Sequence, residues 1–220
     1  EHIPIVSKRK ADTQAIQAAI DAAAGTGGKV VTEAGRKYLI RTLFLKWNVE
    51  LVLSDGSVLE ASGNVEDYEP IRGESGEVAP MATYQGRPVH AMIYALHANN
   101  IAVTGRGCID GLSEAFVTER GRYHRTGSLY PRPTVIYFED CKTVKVSGGT
   151  IRNAPFWTLH PAGCTDVRIE GIKIHNRLDM ANSDGIDPDH CKNVVIRQCE
   201  IQCADDCICL KNTIANREYG

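Results

Sequence analysis

No apolar run in the chain approaches the roughly 18 residues that a membrane-spanning helix needs, so no such span is expected among its 220 residues. A basic excess is also missing. Lys and Arg total 25 against 27 Asp and Glu, a formal net charge of −2, so nucleic acid is not an expected partner. Aromatic residues are scarce at 6%, while 20 Gly and 9 Pro point to many turns. The chain opens Glu1-His2-Ile3 with neither an initiator Met nor a charged-then-apolar leader, as a processed form or a late start would. What is present is 43% hydrophobic residues, enough for a real core.

The first organised segment is helical. Ala15, Ile16, Ala19, Ile20 and Ala23 share one face, Asp12 and Thr13 are placed to cap its start, and Gly25 to Gly28 end it. Short β-rich runs follow from about Lys29, and they repeat. Asn100 to Gly105, Thr143 to Gly148, Asp166 to Gly171 and Asn193 to Gln198 are similar, with steps of 23 and 27 residues between the last three. Ile151, Ile174 and Ile201 each lie five places after the anchors Val146, Ile169 and Ile196, and Cys141, Cys164 and Cys191 five places before. No helix intervenes. Such a period in β-rich chain predicts an all-β solenoid, a parallel β-helix whose coils stack roughly 4.8 Å apart. The helix at about 12–24 would cover the open edge of the first coil. Residues at about 62–90 and 112–133 break the repeat and read as projecting loops.

The 8 cysteines do not read as a disulfide framework. Cys141, Cys164 and Cys191 occupy one repeat position and serve there as small buried hydrophobes, although stacked neighbours lie within bridging distance. Cys199, Cys203, Cys207 and Cys209 lack a standard zinc spacing.

The chemistry-bearing residues lie in Asn182-Ser183-Asp184-Gly185-Ile186-Asp187 and Ala204-Asp205-Asp206-Cys207-Ile208. When Ile186 is aligned with Ile208, Asp184 falls on Asp206 at a spacing of 22, one coil away. Three carboxylates, Asp184, Asp205 and Asp206, would then share one patch. A carboxyl crowded by negative charge holds its proton, and a protonated carboxyl beside an ionised one is the equipment of glycoside hydrolysis. The spacing also admits ordinary turn chemistry and calcium binding. Because neighbouring strand residues face opposite ways, Asp205 and Asp206 can both reach one groove only across a bend.

These two motifs resemble glycoside hydrolase family 28, the polygalacturonases and their relatives. Further resemblance lies in Asp12 to Ala24 with its Gly-rich exit, Leu43 to Gly56, Gly107-Cys108-Ile109-Asp110-Gly111 and Asn153 to Pro161. It implies a single right-handed parallel β-helix domain over 1–220 that hydrolyses α-1,4 bonds of pectin with inversion, using no metal or other cofactor. Asp205 would match the general acid, and Asp184 and Asp206 the carboxylates that activate water. Ala204 replaces the family's usual Gly before the aspartate pair. The expected partner is a pectic polysaccharide or oligogalacturonide, and the expected location is secreted or periplasmic. The family's downstream Gly-His-Gly and Arg-x-Lys segments do not occur before Gly220, so the chain reads as a fragment of a longer enzyme.

Lys211, His160 and Asn182 are the candidate substrate-binding residues, and for His160 with Trp157 a packed Trp beside a hydrogen-bonded His fits equally well. Arg120, Arg122, Arg125, Arg132 and His124, among Tyr123 and Tyr130, could steer a polyanion or simply solubilise a loop. Two other functions fit the same residues: an incomplete β-helix that binds polysaccharide or is inactive, and a calcium-dependent uronate lyase.

Overall fold

The computed structural model describes residues 5–73, 75–118 and 131–214, with side chains from Lys10 onward. Three parallel sheets run the length of a β-helix. The first contains Gly28–Val31, Val49–Leu53, Asn99–Gly105, Lys142–Ser147, Thr165–Glu170 and Lys192–Arg197. The second contains Lys37–Ile40, Val58–Ala61, Cys108–Asp110, Thr150–Arg152, Lys173–His175 and Glu200–Gln202. Leu43–Phe44, Ala91–Leu96, Thr134–Glu139 and Leu159–Ala162 make the third, which single bridges extend through Ile186 and Ile208.

The register follows from the repeat. Ile101, Val144, Val167 and Val194 stack in one inward file, and Ile109, Ile151, Ile174 and Ile201 in another. A one-residue slip would turn each file outward into water, which pins the pairing. The three repeated cysteines continue the stack, with Cys141 and Cys164 fully buried and unbridged. Between the third and first sheets the chain turns through left-handed backbone at Asn100, Asp166 and Asn193, with φ between 56 and 58°. Asn and Asp tolerate that conformation better than other residues with side chains. Thr143 holds the same place at φ 59°.

The N-terminal helix spans Ile5–Ala24, longer than the sequence predicts, so Asp12 and Thr13 lie within it and cap nothing. They act instead on the neighbouring coil. Asp12 Oδ2 accepts from the Leu39 amide (2.9 Å), Thr13 Oγ1 from the Arg41 amide (2.9 Å) and Gln17 Oε1 from the Phe44 amide (2.8 Å). The helix thus covers the first coil with an apolar face, Ile16 and Ile20, and satisfies its edge amides with side chains.

The segment at 62–90 does not project as expected. Ile71, Ala79, Met81, Ala82 and Val89 form a second apolar cluster on the outer face of the third sheet, against Tyr137 and Ala162. Its antiparallel hairpin, Thr83–Tyr84 with Arg87–Pro88, reaches further along that face. In the other expected loop, Ser113–Phe116 is a short helical turn and Phe116 is buried near Tyr68, while residues 119–130 lie outside the described residues.

Candidate active site

Asn176 organises the turn that delivers Asp184. Its amide nitrogen donates to Thr158 Oγ1 (2.7 Å) and to the Ser183 carbonyl (3.0 Å), and its Oδ1 accepts from the Ala154 amide (2.9 Å). Ser183 Oγ donates to the Met180 carbonyl (2.9 Å) and accepts from the Ala204 amide (3.2 Å), tying this turn to the next coil. The coils approach so closely at Gly185 that a Cβ there would lie 2.4 Å from the Cys207 carbonyl oxygen and 2.6 Å from Ile201 Cγ2. Only glycine permits the Gly185 amide to donate to the Asp206 carbonyl (2.9 Å), the contact that sets Asp184 over Asp206.

The chain bends at 204–207 instead of continuing a strand. The Asp206 amide donates to Asp205 Oδ1 (3.0 Å), and both side chains are exposed. This is the bend that two adjacent groove-facing residues require. One carboxylate oxygen from each of Asp184, Asp205 and Asp206 lies within 4.8 Å of the other two. No other group of three or more His, Cys, Asp or Glu lies so close together among the described residues.

Asp184 is only 2% exposed. Lys211 Nζ donates to its Oδ2 (2.9 Å), lies 3.3 Å from Asp187 Oδ1 and sits 4.5 Å from the Trp157 ring centroid. Burial raises the Asp184 pKa above the usual carboxylate value, and the Lys211 ammonium opposes that rise. Asp187, 0% exposed, is pushed up to about 8 by burial and by the charge of Asp184. Lys211 is raised by its bond to Asp184 and by Asp187, against the opposing effect of its own burial. The ammonium occupies Asp184 Oδ2, and among the described residues Asp184 Oδ1 has no hydrogen-bond partner.

The other candidates separate. Asn182 lies at the site, its Oδ1 accepting from Arg132 (3.0 Å). Arg132 also donates to the carbonyls of Pro155 (3.0 Å) and Ala181 (2.8 Å) and packs over Phe156, so it braces two turns. His160 takes the packed, hydrogen-bonded form. At 1% exposure, with Nε2 3.0 Å from Asp189 Oδ2 and its ring edge-on to Trp157 and Tyr137, it supports the site from beneath and has no open face for substrate. Arg120, Arg122, Tyr123, His124, Arg125 and Tyr130 lie outside the described residues. Asn176, Asp187 and Asp189 were not singled out from the sequence. The alternation Ile186-Asp187-Pro188-Asp189 was a usable signal, because in a strand it puts two acids on one face.

A model of the family described as "Glycosyl hydrolases family 28" matches residues 58–217. A probable polygalacturonase of Vitis vinifera is 30% identical over 88% of this chain and 38% of its own length. A polygalacturonase of Ralstonia solanacearum is 26% identical over 91% of this chain and 45% of its own. The chain therefore spans less than half the length of either relative. Among solved structures, a family 28 exopolygalacturonase of Yersinia enterocolitica superposes with a TM-score of 0.73 at 23% identity, over 89% of this chain and 41% of that one. A polygalacturonase of Erwinia carotovora gives 0.70 at 20% identity, over 89% and 54%. These likenesses establish the right-handed parallel β-helix. By the span of the family match, and with its two aspartate motifs brought together on adjacent coils, the chain belongs to glycosyl hydrolase family 28.

Proposed function

We propose that the chain carries the acid and base carboxylates of a pectin-directed glycoside hydrolase, polygalacturonase-like, that cleaves α-1,4-galacturonosyl bonds with inversion. The observation that carries this reading is the gathering of Asp184, Asp205 and Asp206 within 4.8 Å, on a surface where folding alone gains nothing from like charges. Asp205, exposed on its bend, protonates the leaving oxygen. Asp184 and Asp206, one above the other on successive coils, hold and deprotonate the attacking water. The Lys211 ammonium favours the ionised Asp184 that a base requires.

By the separation rule for two carboxyls, oxygens this close lie nearer the ~5 Å of retaining enzymes than the ~6.5–9.5 Å of inverting ones. A third carboxylate changes that comparison. Two of the three can share the water, so neither needs to be a nucleophile. Proton NMR of the first product tests this: inversion gives the β-anomer, and an initial α-anomer rules it out.

Closure of one end of the groove supports an end-cutting mode. The segment at 62–90 packs on the outer face of the third sheet as far as Tyr137 and Ala162, and Tyr84 packs edge-on against Phe156 and Trp157 (ring centroids 5.0 and 5.3 Å), the latter beneath the Lys211 ammonium. The substrate polymer places the working enzyme outside the cytoplasm. Among the described residues no helix is long and apolar enough to cross a membrane.

The deciding assay incubates the protein with polygalacturonate, with and without chelator, and follows reducing ends and the absorbance of unsaturated products. Hydrolysis releases reducing ends without absorbance, indifferent to chelator, and Asp205→Asn abolishes it. Chelator-sensitive absorbance marks a lyase, and no product from folded protein marks an incomplete or binding-only β-helix.

A further inference from the structure

We propose that Lys211 is a positioning residue for Asp184: anchored by Asp187 and by the face of Trp157, it holds the base carboxylate in one orientation toward the Asp205–Asp206 turn. This rests on the reading of Asp184 as a water-activating base. A cation beside a uronate-binding groove would ordinarily be assigned to the substrate. The geometry here assigns it elsewhere, because the Lys211 side chain is only 17% exposed and its ammonium is already shared by Asp184 (2.9 Å) and Asp187 (3.3 Å).

The backbone beneath it is equally fixed. Lys211 bridges Asp189 in parallel register, its amide donates to the Pro188 carbonyl (2.9 Å), and its carbonyl accepts from the His190 amide (3.3 Å). The rest of its surroundings are also engaged. Cys209 interacts with Lys211, Asp205 acts on Asp184 through its charge, Asp184 helps hold the Cys203 thiol protonated, and His160 beneath Trp157 is held by Asp189. Asp187 is the essential partner in this arrangement. Without the Asp187 carboxyl oxygen as a second contact (3.3 Å), the ammonium would lose its hold on the far side and could follow the substrate. A side chain confined this way transfers its fixed position to Asp184, and misplacing a catalytic group by about 1 Å can cost on the order of a hundredfold in rate.

The test measures kcat and KM for polygalacturonate across pH for Lys211→Gln, with Asp184→Asn as a control. The expected result is a kcat reduced at least about tenfold, KM within about twofold of the parent, and an acid limb of kcat moved up by about one pH unit, because Asp184 loses the neighbour that favours its ionised form. If removal of Lys211 alone prevents folding, Asp187→Asn/Lys211→Gln replaces both members of the anchoring pair with neutral amides, and the same three changes are expected. A large rise in KM with the acid limb unmoved would make Lys211 a substrate cation and overturn the proposal. So would kinetics identical to the parent. An Asp184→Asn protein with full activity would overturn the base assignment itself, which separates the two failures.

Discussion

At Asp187 a carboxyl group is buried beside another carboxylate, and that placement makes stability depend on pH. Its pKa is about 8 in the folded protein, against about 3.9 in an unfolded chain. Between those values the folded state holds the proton and the unfolded state does not, so this group's contribution is fully present below the lower value and is lost as pH rises through the upper. Thermal melts should therefore show stability falling from about pH 5 to pH 8, and Asp187→Asn should flatten that fall. An unchanged slope would refute the assignment. Asp205→Asn acts differently. On the proposed mechanism it removes the proton donor, from an exposed bend, so kcat should fall roughly 10²–10⁴-fold while the melting temperature hardly moves. At Gly185 the constraint is space. A methyl group 2.4 Å from the Cys207 carbonyl must separate the two coils that carry the carboxylates. Gly185→Ala should therefore lose activity and stability together, as read by turnover and a thermal melt.

Among the elements, the corner between the third and first sheets tests how the repeat tolerates its own variation. Asn193 donates to Asp166 (3.0 Å) and Asn100 to Asn48 (3.2 Å), so polar side chains ladder along this corner. Thr143 interrupts the ladder with a β-branched residue at φ 59°, a conformation that costs roughly 1–2 kcal/mol for ordinary residues. Thr143→Asn should raise the melting temperature by a few degrees, and a lower value would mean that the threonine is favoured there. The helix supplies the opposite case. Asp12→Ala leaves the Leu39 amide without its acceptor and removes one of the two acidic partners of Arg36 (3.2 Å), at a cost of about 1–3 kcal/mol in a chemical denaturation curve. The expectation that this helix covers the first coil holds, but the route differs. Asp12 and Thr13 are good capping types, and local chemistry cannot tell a cap from a side chain that serves a strand 27 residues away.

For the molecule as a whole, the stack of coils determines where chemistry and access meet. The third sheet offers an outward face, and the segment at 62–90 packs on it as far as Tyr137 and Ala162, while the carboxylates gather on the following coils. On the proposed end-cutting mode a polymer would meet Tyr84, backed by the buried Trp157, as a wall at one end, so the viscosity of polygalacturonate should fall slowly relative to the release of reducing ends. Tyr84→Ala should shift that ratio toward faster viscosity loss, and a ratio typical of internal cutting in the parent would remove the wall from the mechanism. The sequence shows this segment only as a break in the repeat. That Ile71, Met81 and Val89 fold back onto Tyr137 depends on an apolar patch assembled from separate coils.

Period and residue type alone determined the β-helix, the files of valine, isoleucine and cysteine, and the alignment of Asp184 with Asp206, because stacking at one strand spacing turns a sequence interval into a spatial neighbourhood. The tertiary structure decided which polar groups face each other across coils. Lys211 serves Asp184 and Asp187, Arg132 braces Asn182, and His160 lies under Trp157 without reaching the groove. Those outcomes depend on burial and on a few tenths of an ångström between side chains from different turns, and no interval along the chain encodes them.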